Sequence, residues 1–167
     1  MPTLHQRPYL PALTLACGLV FAALPAAAQQ APAEPPATAQ AARAGTLKQV
    51  EGTVWVERGN LRQAVTPGEG LTTAQRLQTG GDGAASVVLR DGTVLTVGPN
   101  SAIAINEFAF DATTQQGNFL LDLFQGSVRV ITGILAKVNP EVFKVRTPTS
   151  VVGVRGTDFI VEAEAKP

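Results

Sequence analysis

The sequence predicts an all-β domain, and three observations carry that expectation. Beyond residue 44 the chain is rich in Val and punctuated by Gly. Apolar and polar residues alternate over short runs, which is the period of a half-buried strand. No segment sustains the spacing of an amphipathic helix. Together these predict short strands joined by turns, in a short β-solenoid or a rolled β-sandwich built from hairpins whose strands start at Gly-Thr.

The first 28 residues have a different character. Arg7 is the fixed positive charge near the start, an apolar run covers 10–24, and Pro25-Ala26-Ala27-Ala28 precedes Gln29. This is the form of a secretory signal, with cleavage expected after about Ala28 and a periplasmic or secreted product. The apolar run is shorter than the ~20 residues of a membrane span. Cys17 lacks the aliphatic residue three positions earlier that a lipidation signal carries, and the apolar run continues past it. Residues 29–44 are dominated by Ala, Pro and Gln, the composition of a flexible tether. The folded domain is expected over 45–167.

Composition narrows the chemistry. Met1, His5, Tyr9 and Cys17 are the sole residues of their types, so the expected cleavage removes all four. The mature chain then has no imidazole base, no thiolate and no His or Cys metal ligand. Neither an enzyme nor a bound cofactor is expected. Acidic and basic residues nearly balance, without a basic block, so no nucleic-acid or anionic-lipid footprint is expected. No membrane span is expected in the mature chain.

The strands follow in order. Residues 49–57 alternate, with Val50, Val54 and Val56 on one side and Glu51, Thr53, Trp55 and Glu57 on the other. Gly59-Asn60 turns the chain into a weaker pair, 61–65 and 70–79, around Pro67-Gly68. Asp91-Gly92 between 84–90 and 93–97 predicts a two-residue hairpin turn, with both central residues at positive φ. Apolar residues on both faces there (Val87 and Leu89, then Val88) predict cover on both sides. Pro99-Asn100 leads into 101–110, and 111–118 is a polar connection. A core strand over 119–124 is expected to turn at Gln125-Gly126 into 127–132. A short helical turn fits 133–141. Phe143 and Val145 alternate with Lys144 and Arg146, and Phe159, Val161 and Ala163 alternate with Asp158, Ile160 and Glu162.

Four segments share a Gly, a small hydroxyl residue and a β run: Gly52-Thr53, Gly92-Thr93, Gly126-Ser127 and Gly156-Thr157. Such a loose repeat suits stacked coils or a rolled sheet, with Gly supplying the turn conformation. Arg155 before Gly156-Thr157 either meets a partner or pairs internally with Asp158 or Asp91, and the internal role is favoured. Gly80-Gly81-Asp82-Gly83 occurs once and reads as a loop rather than a calcium site. Glu107, Asp111 and Asp122 show no spacing that converges them for acid–base work. Trp55 is either an exposed contact for sugar or protein, or is packed beneath the tether.

Three stretches carry a resemblance: 76–105, with Thr79-Gly80 before the hairpin and Asp91-Gly92-Thr93 at its turn; 125–131; and 143–162, with Arg155-Gly156-Thr157. They resemble the FecR-type domain, across nearly all of 45–162. The resemblance implies a non-enzymatic, all-β extracytoplasmic module with a roll-like or solenoid-like fold, working through an envelope protein. It also marks Asp91, Gly92, Thr93, Arg155, Gly156 and Thr157 as signature turns. Trp55, the Asp91 hairpin and the edge strand 157–162, with Asp158 and Glu162, are the candidate partner surface, with docking by strand addition. A structural or glycan-binding envelope protein is the alternative.

Overall fold

The computed structural model describes residues 43–73, 75–154 and 158–165. Its strands are β1 (Arg43–Glu51), β2 (Val54–Arg58), β3 (Leu61–Ala64), β4 (Gly70–Thr72), β5 (Arg76–Thr79), β6 (Ala84–Leu89), β7 (Val94–Val97), β8 (Ala102–Phe110), β9 (Gly117–Ile131), β10 (Phe143–Arg146), β11 (Val151–Gly153) and β12 (Asp158–Ala163). One short helix, α1 (Ile134–Val138), and a 3₁₀ turn over Pro140–Val142 occupy the expected helical stretch.

All twelve strands belong to one sheet, antiparallel except where β10 runs parallel to β9. The sheet is rolled into a half-barrel, so of the two predicted architectures the roll is the one observed. Four lanes cross it: β1 into β2, β5 into β6, β7 into β8, and β9 alone. Their registers continue past a shared crease, with Glu51 opposite Ala84 on one side and Val54 opposite Thr79 on the other. Beyond the crease lies an aliphatic half, ordered β4-β1-β6-β7-β9-β12. Before it lies an aromatic half, β3-β2-β5-β8-β9-β10-β11. Both line one core. Leu47, Val87, Leu95, Val128 and Val130 come from the first half, and Leu77, Ile103, Leu121, Phe119 and Phe143 from the second.

Glycine and small hydroxyl residues make the crease. Gly52 bends the first lane at φ +58° and Gly126 bends β9 at φ +83°. A Cβ on Gly126 would stand 2.2 Å from Ser101 Oγ and 2.5 Å from Ser101 Cα. A sharp bend deprives backbone groups of ladder partners, and buried ones must be satisfied otherwise. Thr79 Oγ1 donates to Gly98 O at 2.6 Å and accepts from Ser101 N at 2.9 Å. Ser101 Oγ accepts from Ser127 N at 2.9 Å. The Gly80–Gly83 loop closes on Asp82, whose carboxylate accepts from Thr53 N and Oγ1.

Several local expectations are corrected by this arrangement. The predicted strand 49–57 is two strands separated at Gly52; side-chain alternation stays in phase across the bend, so the pattern concealed it. Conversely, Gln125-Gly126 is a bend within one 15-residue strand and not a chain reversal. Phe119, Leu121 and Leu123 point inward before it, Val128 and Val130 after it, so the inward phase slips by one residue. The segments 61–65 and 70–79 do not pair together: β3 joins β2, β4 joins β1, and β5 lies between β2 and β8. β1 begins at Arg43 with Ala44 fully buried, two residues ahead of the expected domain start at 45. Val88 is half-buried, so the hairpin is covered on its inner face only.

Candidate partner-docking surface

The Asp91 hairpin turns inward. Leu89 N donates to Thr93 O at 2.8 Å and Gly92 N to Leu89 O at 3.1 Å, which makes Arg90-Asp91-Gly92 a three-residue loop. Gly92 has φ +84° and Asp91 is not at positive φ, so the two-residue turn is replaced by a tight turn plus a left-handed glycine. The reason lies in the Asp91 side chain. Its carboxylate accepts from Thr93 N at 3.0 Å and from Thr93 Oγ1 at 2.8 Å. Thr93 Oγ1 in turn accepts from Gly133 N, and Asp91 O accepts from Ile134 N, tying the turn to the start of α1. Asp91 is 2% exposed and Thr93 fully buried, so this part of the signature holds the fold and offers no carboxylate to a partner. The Arg155-Gly156-Thr157 signature lies outside the described residues. Among the described residues Asp91 accepts from Thr93 and Asp158 from Arg129.

The repeat of Gly and hydroxyl residue therefore has two uses. Gly52-Thr53 and Gly126-Ser127 lie on the crease, whereas Gly92-Thr93 lies in the hairpin turn on the far side of β6 and β7. One sequence plan serves two geometries because both need a residue at positive φ, supplied by Gly52, Gly92 and Gly126.

The outer face of the aromatic half carries cations over rings. Trp55 is half-buried, with the Arg62 guanidinium 4.9 Å from its ring centroid, so one face of the indole is already covered. Arg62 also donates two hydrogen bonds to Glu57, holding that carboxyl below its usual range; the indole N–H adds a smaller pull without reaching full hydrogen-bond geometry. Arg76 stands 4.0 Å over Phe124. Nearby, Asp122 receives a fork from Arg146 at 2.7 and 2.5 Å and the Asn106 amide. The same bonds raise the Arg146 pKa further above its ordinary value. Asp122 is thus committed to an ion pair, and Glu107 accepts from Asn118. Asp111 caps its own loop, accepting from Thr113 N and Thr114 N. Those three carboxylates have separate partners, as their spacing implied.

The remaining feature is the rim. β9 gives one edge to β7 and β8; on the other, β10 covers Phe119–Asp122 and β12 covers Gly126–Ile131. A cleft of about 500 Å³ opens between, lined by Leu123, Phe124, Gln125, Arg146 and Ala165. Among the described strands β12 pairs with β9 alone and β11 with β10 alone. Each of these two strands carries exposed apolar side chains: Val151 and Val152 on β11, and Ile160 on β12, which is 64% exposed. Asp158 receives two hydrogen bonds from Arg129, at 2.9 and 2.5 Å, which hold its carboxyl below the usual range. Glu162 is exposed two residues beyond Ile160. Sequence reasoning named Asp158, Glu162 and the edge strand 157–162 that carries Ile160, but missed Arg129, Val151 and Val152. Arg129 becomes visible only once β9 and β12 are in register.

Among the described residues no group of three or more His, Cys, Asp or Glu could hold a metal ion, and no helix is long and apolar enough to cross a membrane. A family model described as "FecR protein" matches residues 75–167, more than half of the chain. The match excludes β1 to β4, although Leu47, Val54, Val56 and Leu71 from these strands complete the core; it starts later than the resemblance implied. No curated protein and no solved structure matches the chain.

Proposed function

This chain belongs to the FecR family, and we propose from that premise that it is a non-enzymatic sensor or docking module that acts on one protein partner of the bacterial envelope. The family is regulatory and works through protein partners, with its domains outside the cytoplasm. The observation that carries the reading is the distribution of exposed apolar groups. The polar signature at Asp91 and Thr93 is consumed inside the fold, whereas Val151, Val152 and Ile160 sit on strands with one neighbour each. Open strand edges bind extended segments by main-chain hydrogen bonds, with side chains supplying selectivity. Export by a leader cleaved after about Ala28 places the module on the correct side of the membrane for this work.

The test is site-specific photocrosslinking in intact cells. A photoreactive residue replacing Ile160 or Val151 should trap one discrete envelope protein, and the same probe at Glu51, on the opposite side of the sheet, should not. Equal, diffuse labelling from all three positions would overturn the reading. Loss of the leader signal, read from the N-terminus of the exported protein, is the check on processing.

A further inference from the structure

We propose that the free edge of β12 takes one added strand from a partner, an extended segment in which basic side chains alternate with aliphatic ones. This rests on the partner-docking reading above and specifies its chemistry.

Two independent features of β12 carry it. First, the core is unfinished at this edge. Phe159, Val161 and Ala163 pack against the core yet remain half-buried, whereas Val128 and Val130 one strand further in are fully buried. A strand laid beyond β12 with aliphatic residues on its inner face would cover the open side of these three. The main-chain groups along that edge have no ladder partner among the described strands.

Second, charge selects the occupant. The outward face of β12 presents Asp158, Ile160 and Glu162 in succession, followed by exposed Glu164, without a base. Among the described residues only Asp158 has a cation, Arg129, on the strand behind it. Directly opposed residues of an antiparallel pair share a face and interact across 4.5–5.5 Å or so. A second β12 centred on Ile160 would oppose Asp158 to Glu162. Centred on Val161, it would oppose Asp158 to Glu164 and Ile160 to Glu162. In either in-face register acid meets acid or aliphatic, and among the described residues 158–165 there is no cation to relieve it. The edge therefore rejects its own copy, a common protection of exposed strands, and accepts a strand with Lys or Arg at the outward positions.

The experiment uses the full chain and a labelled peptide of about eight residues, enough to span β12, alternating Lys with Val. Anisotropy should report binding that weakens as salt rises, and amide exchange should slow along 158–163. Glu162→Lys should weaken the peptide by about tenfold and should bind the Glu/Val counterpart better than wild type does. Equal binding of the Lys/Val peptide to wild type and Glu162→Lys, no binding at all, or protection confined to another strand would each overturn the assignment. If crosslinking from Ile160 captures a partner whose binding is indifferent to Glu162→Lys, the docking reading stands and the basic-strand assignment falls. If no partner is captured anywhere, the docking reading itself fails.

Discussion

The two ends of β9 solve one problem in opposite ways. Its first half is sealed. β10 runs alongside, Phe143 stacks on Phe119 at 4.3 Å between centroids, and Phe108 meets Phe119 edge-on. Outside this stack, Arg146 neutralises Asp122 and the Asn106 amide donates to it. The second half is left open, with β12 alone on that edge and its inward residues half-buried. Aromatic stacking needs close, unique geometry, and above it Arg146 pairs with Asp122. The aliphatic half instead ends in acids and an exposed isoleucine. One edge of β9 is closed by stacked rings over Phe119–Asp122, and the β12 edge over Gly126–Ile131 leaves apolar and acidic side chains exposed.

The strongest challenge is Gly126→Val, which attacks the bend joining both halves. A positive φ and a clash with Ser101 together should cost on the order of 3–5 kcal/mol, seen as loss of a cooperative urea transition. If both halves still melt together at wild-type stability, the crease is not what couples them. Phe119→Ala should cost about 3–5 kcal/mol by cavity formation in the sealed half. The matched change Phe159→Ala at the open edge should cost only about 1–2 kcal/mol, since that ring is only partly buried. Equal costs would mean that the edge is closed. Asp91→Ala should cost about 1–3 kcal/mol by stranding the Thr93 N–H and hydroxyl, with peptide binding at β12 unchanged.

The smallest effect concerns acid. Arg129 holds the folded pKa of Asp158 below the usual value of 3.8, so the pair contributes stability that is present above that value and lost as pH falls through the folded pKa. Asp158→Asn should flatten the stability profile in that acidic window and leave it unchanged near neutrality apart from a constant offset. An identical acid limb in the variant would mean that the fork adds nothing in solution, the common outcome for exposed pairs.

Much of the fold was legible in local pattern. β8, β10 and β12 fall where alternation placed them, and α1 occupies the one stretch expected to be helical. Where the reading slipped, a bulge or a bend had changed the phase. Gln125-Gly126 reads as a turn because the inward positions move from odd to even there, and only a neighbouring lane with the same bend reveals one strand. The site was less legible. Asp158 and Glu162 stood out as acids on a strand, but Trp55, named beside them, proves half-covered by Arg62.

What the sequence determined by itself was the class: a β domain, its strand periods and its glycine turns, because these depend on residues near one another in the chain. It also determined the family. Tertiary structure alone decided which side of each motif faces water. Asp91 is interior because Thr93 and the start of α1, forty residues on, close over it. The acids of β12 are at the surface because β9 takes one edge and no described strand takes the other. Register and long-range approach set both outcomes, and neither is written in local alternation.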